Sequence, residues 1–542
     1  MTQPLSNLQQ ETLGASSGQV GAFADNPIVY FLIIDRFRSA GPKRTAYGRT
    51  GDGEREIGTF HGGNLRGIAA QLRRGWFSDL GVNAIWITAP FEQIHGWVEG
   101  ANGEFKHYAY HGYWTLDYTV LDENFGTRDD LRDLVDTAHS LQIRVIFDVV
   151  MNHPGYLDAA TRAHHVTDGN LANWWGGEWV RAGLPGYPPG GTDDMTMQLA
   201  GLPDFRTESC HSVALPAFLR TKPGSMAVDL PHTTVRGYLV AWLTRWVEDF
   251  GVDGFRCDTV KHVDDASWQA LKQAATSALA RWKQRHPTKK IDDAPFWMTG
   301  EVFGNGIERN CYYDCGFDNL INFQFQEDVW ALFAPPSHTL HTSHASRAWE
   351  GAHSQAIDSI YRRYARAVGG RPGYNVLSYI SSHDTRLFPR AALMSGGTAL
   401  MLVPGGVQIF YGDETARPDG PSSPSEAVQA TRSSMNWDAP DAGVLAHWRK
   451  LGQFRARHVA IARGAHRKRC HLPYVFSRID NDSGDSILVV IGEGGQLTLD
   501  VAGVFHDGEW LRDGYGGARF TVEAGLIAFA YDGVALIERV LD

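Results

Sequence analysis

The sequence predicts an α/β fold: a (β/α)8 TIM barrel with a domain inserted after its third strand and an antiparallel β-sandwich at its C-terminal end. Three observations support this prediction. Short apolar runs alternate with helical patterns through much of the chain, the alternation stops over about residues 154–231, and beyond about residue 456 only short strands between Gly and Asp turns follow. A length of 542 residues suits a barrel with added domains.

Eight apolar runs are the candidate barrel strands. The first, residues 27–34, is continuous and apolar, as expected of a parallel strand buried on both faces. The second and third, residues 83–88 and 144–149, follow helical patterns over residues 64–80 and 129–141, and this order predicts parallel βαβ units. The other five runs are residues 252–256, 295–299, 318–323, 375–380 and 407–411.

Changes of pattern set the predicted domain boundaries. Residues 1–25 are polar and are expected to form a loose N-terminal segment. The barrel then occupies residues 26–153 and 232–455, and the inserted domain occupies residues 154–231. Residues 456–542 form the C-terminal β-sandwich.

Composition and charge argue against several classes of protein. The net charge is −11 and no basic stripe is visible in the sequence, which argues against a nucleic-acid partner. No run approaches the roughly 18 apolar residues of a membrane span, so no membrane partner is expected. The first residues lack the basic start and apolar run of a signal peptide. We therefore expect a periplasmic or secreted protein if a leader was removed and a cytoplasmic one if this N-terminus is native. The oligomeric state is left open.

Five cysteines give an odd number, and only Cys311 and Cys315 lie close in sequence. No second pair completes a zinc motif, so a zinc site is not expected. A Cys311–Cys315 disulfide stays open as an alternative for an exported protein.

Carboxylates and histidines follow four of the predicted strands, at residues 148–153, 254–262, 300–301 and 382–384. In a (β/α)8 barrel these strand ends form the active-site face. Three carboxylates on different strands, Asp258, Glu301 and Asp384, match the requirements of glycoside hydrolysis. That reaction needs a nucleophile, an acid that protonates the leaving oxygen, and stabilisation of a cationic transition state.

The spacing of Arg256 and Asp258 predicts a direct contact. Residues i and i+2 of a strand point to the same side, so the guanidinium is expected beside the carboxylate, keeping it ionised as a nucleophile. The alternative is an ion pair that only braces the barrel. We expect Asp148 to have such a bracing role through Arg256.

These segments, together with residues 110–114 and 201–204, resemble the conserved regions of the alpha-amylase superfamily of glycoside hydrolases. Residues 58–63, 89–97, 295–301, 384–388 and 453–458 are most similar to the bacterial periplasmic alpha-amylase branch. The resemblance runs from about residue 28 to the C-terminus. It implies an alpha-glucan or maltooligosaccharide substrate.

The resemblance also implies roles for individual residues. Asp258 matches the nucleophile, Glu301 the general acid/base, and Asp384 the third carboxylate, which grips sugar hydroxyls. The matched substrate-binding positions are His111, Tyr113, His153, Arg256 and His383 in the cleaved subsite, and Lys261 and His262 on the leaving-group side.

A calcium ion (Ca2+) is implied by three further matched positions. They are the side chains of Asn152 and Asp204 and the backbone carbonyl of His262, all hard oxygen ligands. A second calcium site seen in some relatives is not expected, because residues 38–44 lack the required carboxylates.

Several functions are compatible with these residues. The first is a retaining hydrolase of alpha-1,4 links, and the second is a transglycosylase, or a hydrolase specific for cyclic or branched glucans, on the same scaffold. A catalytically inactive sugar-binding relative is disfavoured because all three carboxylates are present. The inserted aromatics Trp174, Trp175, Trp179 and Tyr187 either form a small core or, as we predict, belong to a domain that walls the substrate groove.

Overall fold

A computed structural model describes residues 21–42, 46–49, 57–166, 169–333, 352–369, 371 and 373–540. Most of the segment expected to be loose, residues 1–20, lies outside the described residues.

Eight parallel strands form a closed barrel, as predicted. Each strand pairs with the next in sequence, and the eighth closes on the first. The strands are β1 (Ile28–Leu32), β2 (Ala84–Ile87), β3 (Arg144–Val149), β4 (Gly254–Cys257), β5 (Trp297–Gly300), β6 (Asn319–Asn322), β7 (Val376–Ser378) and β8 (Gly406–Phe410). Every residue of these strands is buried, which explains why most of their residues are apolar.

Helices surround the barrel. They are α1 (Leu65–Arg73), α2 (Arg128–Ser140), α3 (Val235–Phe250), α4 (Asp265–Arg285), α5 (Phe323–Phe333), α6 (Ala352–Val368), α7 (Leu393–Met401) and α8 (Ala442–Arg457). A capping box of Thr127 and Asp130 starts α2. In the part of the chain that the structure describes, no helix is both long and apolar enough to cross a membrane.

The single helix predicted over residues 64–80 is wrong in its second half. Helix α1 ends at Arg73, and a separate short helix, Trp76–Asp79, follows. Gly75 between them has φ +78°, a left-handed conformation that glycine adopts at little cost. The apolar pattern continues across this break, so periodicity alone did not reveal it.

The inserted segment packs on the barrel through its tryptophans. It contains two short helices (Ala159–His165 and Ala217–Thr221) and a small hairpin that pairs Val180–Arg181 with Asp204–Phe205. Its three tryptophans are buried and join the hydrophobic core of the barrel: Trp174, Trp175 and Trp179. Trp179 stacks on Trp242 of α3, with ring centroids 5.8 Å apart and an interplanar angle of 3°.

The tryptophans of the insertion therefore serve as core residues, the first of the two alternatives, whereas the statement that the inserted domain walls the substrate groove stays a prediction. Tyr187 is half-buried, and its hydroxyl donates to the backbone carbonyls of Leu171 and Trp175 inside the same segment. Trp175 and Trp179 hold the insertion onto α3, and Tyr187 bonds within the insertion.

The C-terminal domain is an antiparallel β-sandwich, as predicted. Its strands are β9 (Ala465–Cys470), β10 (Tyr474–Asp480), β11 (Asp485–Ile491), β12 (Gly495–Asp500), β13 (Trp510–Asp513), β14 (Arg519–Thr521), β15 (Leu526–Tyr531) and β16 (Val534–Arg539). Six strands form one sheet in the order β9-β10-β11-β16-β13-β14, and β12 pairs with β15. Their facing side chains form a second core with residues such as Leu488 and Ile527.

All five cysteines carry free thiols, so the Cys311–Cys315 disulfide left open by the sequence is absent. Both residues lie on a short 3-10 turn between β5 and β6, and the Cys315 thiol faces the carbonyl of Cys311.

Candidate active site

Arg256 is the centre of a buried cluster of carboxylates at the C-terminal ends of the barrel strands. Its Nη1 donates to Asp148 Oδ1 at 2.8 Å and to Asp258 Oδ1 at 2.7 Å. Its Nη2 lies 2.9 Å from Glu301 Oε1. The spacing of Arg256 and Asp258 on one strand face predicts the second contact, and the bracing of Asp148 also follows the sequence-based expectation.

The strand register places the two carboxylates next to each other. The backbone N–H of Asp258 donates to Val149 of β3, and that of Glu301 donates to Cys257 of β4, so both residues directly follow paired strands. Thr259 then adopts a left-handed conformation with φ +47°. This turn directs its backbone N–H to Glu301 Oε2 at 3.2 Å.

Burial raises the pKa of both Asp258 and Glu301 above their ordinary values. Arg256 lowers both pKa values, as expected, but its effect is smaller than that of burial, and neighbouring carboxylates add to the rise. The pKa of Glu301 moves toward neutrality, which suits an acid that must carry a proton near pH 7.

Asp384 lies in a different electrostatic environment. Burial raises its pKa, but His383, Arg432 and Arg256 together lower it well below its usual range. His383 Nε2 lies 2.9 Å from one carboxylate oxygen, and Arg432 Nη2 donates to the other at 2.8 Å. The third carboxylate is therefore held ionised while the other two are displaced toward the neutral form.

Tyr113 and His383 connect the two sides of the cluster. The Tyr113 hydroxyl donates to Asp148 Oδ2 at 2.8 Å and lies 2.8 Å from His383 Nε2. The His111 ring stacks beside Tyr113, with centroids 5.5 Å apart, and its Nδ1 accepts the Tyr113 backbone N–H. These residues are brought together as the sequence indicated.

Burial shifts the histidines of the cluster toward the neutral form. Burial lowers the pKa of His111 and His383, and it lowers the pKa of His153 to about 4. A neutral imidazole has one donor and one acceptor nitrogen, which suits contact with sugar hydroxyls.

Lys261 and His262 lie on the turn that follows β4, and their side chains bond to backbone carbonyls of other loops. Lys261 Nζ donates to the backbone carbonyl of Phe303, in the loop after β5, at 2.8 Å. His262 Nδ1 lies 2.7 Å from the backbone carbonyl of Asp194 in the insertion.

The three residues matched to a calcium site do meet. One terminal atom of the Asn152 amide lies 3.2 Å from Asp204 Oδ1 and 3.0 Å from the backbone carbonyl oxygen of His262. With the amide oxygen in that position, three oxygens face one another without a donor, an arrangement that a hard cation between them satisfies. With the amide nitrogen there, it donates to both. The donor set therefore fits calcium.

Sequence reasoning missed Arg432 and Trp86. Arg432 ends a short 3-10 turn, Ala427–Arg432, in the loop after β8, and no local motif marks it. Trp86 of β2 donates from its indole to Asp148 Oδ2 at 3.2 Å, beneath the guanidinium of Arg256. Only the location of the β8 loop at the active-site face was a usable signal for Arg432.

Comparisons with known proteins agree with this geometry. Residues 31–448 match the alpha-amylase catalytic domain family. The periplasmic alpha-amylase of Escherichia coli (strain K12) is 44% identical over 484 residues, which cover 81% of this chain and 68% of that protein. A cyclomaltodextrin glucanotransferase of Geobacillus stearothermophilus is 25% identical over 520 residues, 92% of this chain and 64% of that protein.

A solved structure supports the same assignment of fold. The Anoxybacillus alpha-amylase superposes with a TM-score of 0.65 at 24% identity, covering 96% of this chain and all of that one (100%). With the match to the catalytic domain and the barrel with its carboxylate cluster, this chain belongs to the alpha-amylase family.

Proposed function

We propose that this protein is a retaining glycoside hydrolase that cleaves alpha-1,4-glucosidic links in starch-like glucans or maltooligosaccharides. The observation that carries the proposal is the grouping of Asp258 and Glu301 on one guanidinium, with Asp384 held ionised nearby. Membership of the alpha-amylase family and the 44% identity to a periplasmic alpha-amylase support it.

The roles follow from the chemistry of the three carboxylates. Asp258 attacks the anomeric carbon while Glu301 gives its proton to the leaving oxygen, so a covalent glycosyl-enzyme forms as the glycosidic bond breaks. Glu301, now ionised, takes a proton from water, whose oxygen attacks the anomeric carbon and releases Asp258. Retaining enzymes hold these carboxyl groups about 5–5.5 Å apart, a separation that we expect here.

The remaining residues orient the sugar. Ionised Asp384 accepts from sugar hydroxyls, and the neutral histidines His111, His153 and His383 donate and accept around the same ring. Tyr113 offers an aromatic face to the ring. Lys261 and His262 lie on the β4 turn, and we assign them to the leaving-group side.

A transglycosylase is the second candidate, favoured by the similarity to a cyclomaltodextrin glucanotransferase. The two activities share the glycosyl-enzyme and differ in whether water or a sugar releases it. Products from one maltooligosaccharide separate them, because only transglycosylation yields products longer than the substrate.

We also propose one bound calcium ion, held by Asn152, Asp204 and the carbonyl of His262. The ion would hold the insertion against the ends of β3 and β4. We propose an exported location because the similar Escherichia coli protein is a periplasmic alpha-amylase, and cell fractionation of the producing organism tests it.

Two substitutions test the mechanism. Asp258→Asn removes the nucleophile, and we expect kcat to fall on the order of 10⁴-fold with the fold intact. Glu301→Gln is expected to slow substrates with poor leaving groups far more than activated aryl glycosides, whose departure needs little protonation. Folded Asp258→Asn with more than about a tenth of the activity would contradict the assignment.

NMR of the first product must show the alpha anomer, and a beta anomer excludes retention.

A further inference from the structure

We infer that the substrate groove is closed on its glycone side by a bridge between two loops, so that the enzyme takes the non-reducing ends of glucan chains. Chain interiors and cyclic glucans are then excluded. The inference rests on the proposed function. We define the end bridge as the hairpin of residues 97–108, from the loop after β2, and residues 423–432, from the loop after β8.

Direct hydrogen bonds join the two halves of the end bridge. Asn102 Nδ2 donates to Ser425 Oγ at 2.7 Å, and Ser425 Oγ donates to Glu104 Oε1 at 2.7 Å. The backbone N–H of Ala101 lies 3.5 Å from Glu426 Oε2. The tip of the hairpin therefore contacts the β8 loop through both side chains and backbone.

Both halves of the end bridge are connected to residues of the cleaved subsite. Gln429 Nε2 donates to Glu426 Oε1 at 2.6 Å and accepts, at its Oε1, the hydroxyl of Tyr110 at 2.7 Å. Tyr110 directly precedes His111. At the end of the β8 loop, the Thr431 hydroxyl donates to the His383 carbonyl at 2.9 Å, and Arg432 donates to the Asp384 carboxylate.

The contacts therefore form a closed circuit. It runs from Asp384 through Arg432 and the β8 loop to the hairpin, and returns through His111, Tyr113 and His383 to Asp384. We place this circuit on the glycone side of a sugar bound against Asp384, because the resemblance assigns Lys261 and His262, on the turn after β4, to the leaving-group side.

The hairpin is a preformed element. Residues Trp97–Glu99 pair with Lys106–Tyr108, and the backbone of Gly100 donates to Phe105 at 2.8 Å. The Phe105 ring packs so closely on Gly100 that a Cβ there would lie 2.4 Å from it. The turn also holds Asn102 in a left-handed conformation with φ +56°. Because this geometry is fixed, the bridge does not depend on substrate for its formation.

The opposite side of the site presents an exposed aromatic side chain. Phe303, two residues after Glu301, is 61% exposed, and Lys261 binds its backbone carbonyl. The resemblance assigns this side to the leaving group. A chain can therefore extend outward on the leaving-group side, whereas on the glycone side its continuation would cross the end bridge.

A comparison of blocked and free substrates tests the inference without any variant. We would measure kcat/KM of the wild-type protein for an aryl maltoheptaoside with a free non-reducing end and for the same compound with its terminal 4- and 6-hydroxyls blocked. A cyclic glucan is the third substrate. We expect the free compound to be cleaved at least about tenfold faster than the other two, about 1.4 kcal/mol of discrimination. Equal rates on all three overturn the inference, whereas no cleavage of any would overturn the proposed function instead.

Variants then assign the selectivity to the bridge. Shortening the hairpin tip at residues 101–104, or the double change Asn102→Ala with Ser425→Ala, is expected to raise cleavage of the blocked and cyclic substrates relative to the free one. Ser277→Ala on α4 is a matched control, since it removes an exposed hydroxyl bond far along the chain and is expected to leave the ratio unchanged. If a folded bridge variant keeps the wild-type ratio of blocked and cyclic to free substrate cleavage, the end bridge does not set the selectivity.

Discussion

Arg256 contacts Asp148, Asp258 and Glu301, and the pKa of Asp258 and of Glu301 is raised, whereas the pKa of Asp384, which has other partners, is lowered. The difference arises from second partners. Asp384 has His383 and Arg432 on its two oxygens, whereas Asp258 and Glu301 share one guanidinium in a buried cluster. One cation divided among several buried carboxylates does not offset their loss of solvation.

Arg432→Gln is expected to shift the acid limb of the pH profile. The change removes one of the groups that lower the pKa of Asp384, so that pKa rises and the carboxylate protonates at higher pH. Activity should therefore fall more at pH 5 than at pH 7, and kcat/KM against pH is the measurement. Arg245→Gln, in an exposed ion pair on α3, is the control. An equal loss at every pH would mean that Arg432 only supports the fold.

At the residue scale, the sequence predicted the contacts that depend on strand geometry and missed those that depend on loop closure. The contact of Arg256 with Asp258 follows from their spacing on one strand. Arg432 reaches Asp384 from a position 48 residues later, through a loop whose path no periodicity encodes. The expected ionisation of Asp258 beside Arg256 also omitted burial, which the sequence does not report.

At the scale of elements, the insertion is held by ring packing on α3. Trp175 and Trp179 contact Phe205 of their own hairpin and Trp242 of α3, which explains why an aromatic-rich segment with little regular structure is ordered. The sequence showed aromatics at the active-site face of a barrel. It did not show that α3 presents Trp242 and Tyr238 to receive them.

Trp179→Ala is expected to destabilise the protein without changing its cleavage pattern. Removing a fully buried tryptophan costs about 3–5 kcal/mol, because the lost contacts leave a cavity. Thermal unfolding measures the loss, and product lengths from a maltooligosaccharide series measure specificity. Trp510→Ala is the control, since that side chain is 61% exposed and its loss is expected to cost less than about 0.5 kcal/mol. A changed product pattern at unchanged stability would mean that Trp179 acts on the substrate rather than on packing.

The whole molecule is joined by a charged junction between α8 and the β-sandwich. His458 follows α8, and its two ring nitrogens lie 2.8 Å from Asp485 and 2.5 Å from Glu538. Burial raises the pKa of Glu538, but the bonds from His458 and Arg457 lower it to about 2 overall. The stability from this carboxylate is thus present above its unfolded pKa of about 4.3 and is lost as pH falls toward 2.

Glu538→Gln is expected to lower the free energy of unfolding at pH 7 by on the order of 3 kcal/mol, because His458 and Arg457 lose a buried partner. The gap in melting temperature between the wild-type protein and this variant should narrow as pH falls below about 4, where the wild-type carboxylate begins to protonate. Asp293→Asn, whose exposed side chain pairs with Lys290, is the control. A gap that stays constant down to pH 2 would show that packing, rather than charge, holds the junction.

Basic residues that lie far apart in the sequence meet on one surface of the folded protein. Arg362, Arg363 and Arg366 of α6 line one cavity with Arg371 and Lys468, although the chain carries a net charge of −11. Asp358 and Asp328 pair with two of these arginines. The sequence showed no basic stripe because this surface combines a helix and a strand about a hundred residues apart, a distance that only the fold closes.

Removing calcium tests whether the proposed ion holds three segments of the molecule together. Asn152 follows β3, Asp204 belongs to the insertion, and His262 follows β4, so one ion at their shared position links three segments. An ion bound only by the native state stabilises it by mass action, about 2.7 kcal/mol at a concentration 100 times Kd. We expect a chelator to lower Tm and added calcium to restore it.

The variant Asp204→Asn distinguishes the stability that the ion contributes from the stability that the other bonds of Asp204 contribute. The variant also weakens the pair between Arg181 and Asp204, so its own Tm is expected to fall. The informative quantity is therefore the change in Tm on adding calcium, which should shrink in Asp204→Asn and persist in the exposed-site control Asp293→Asn. A protein free of metal by elemental analysis, with a Tm that neither chelator nor calcium moves, would contradict the ion. The Asn152 amide nitrogen would then donate to Asp204 and His262, and that hydrogen-bonded amide would hold the insertion in its place.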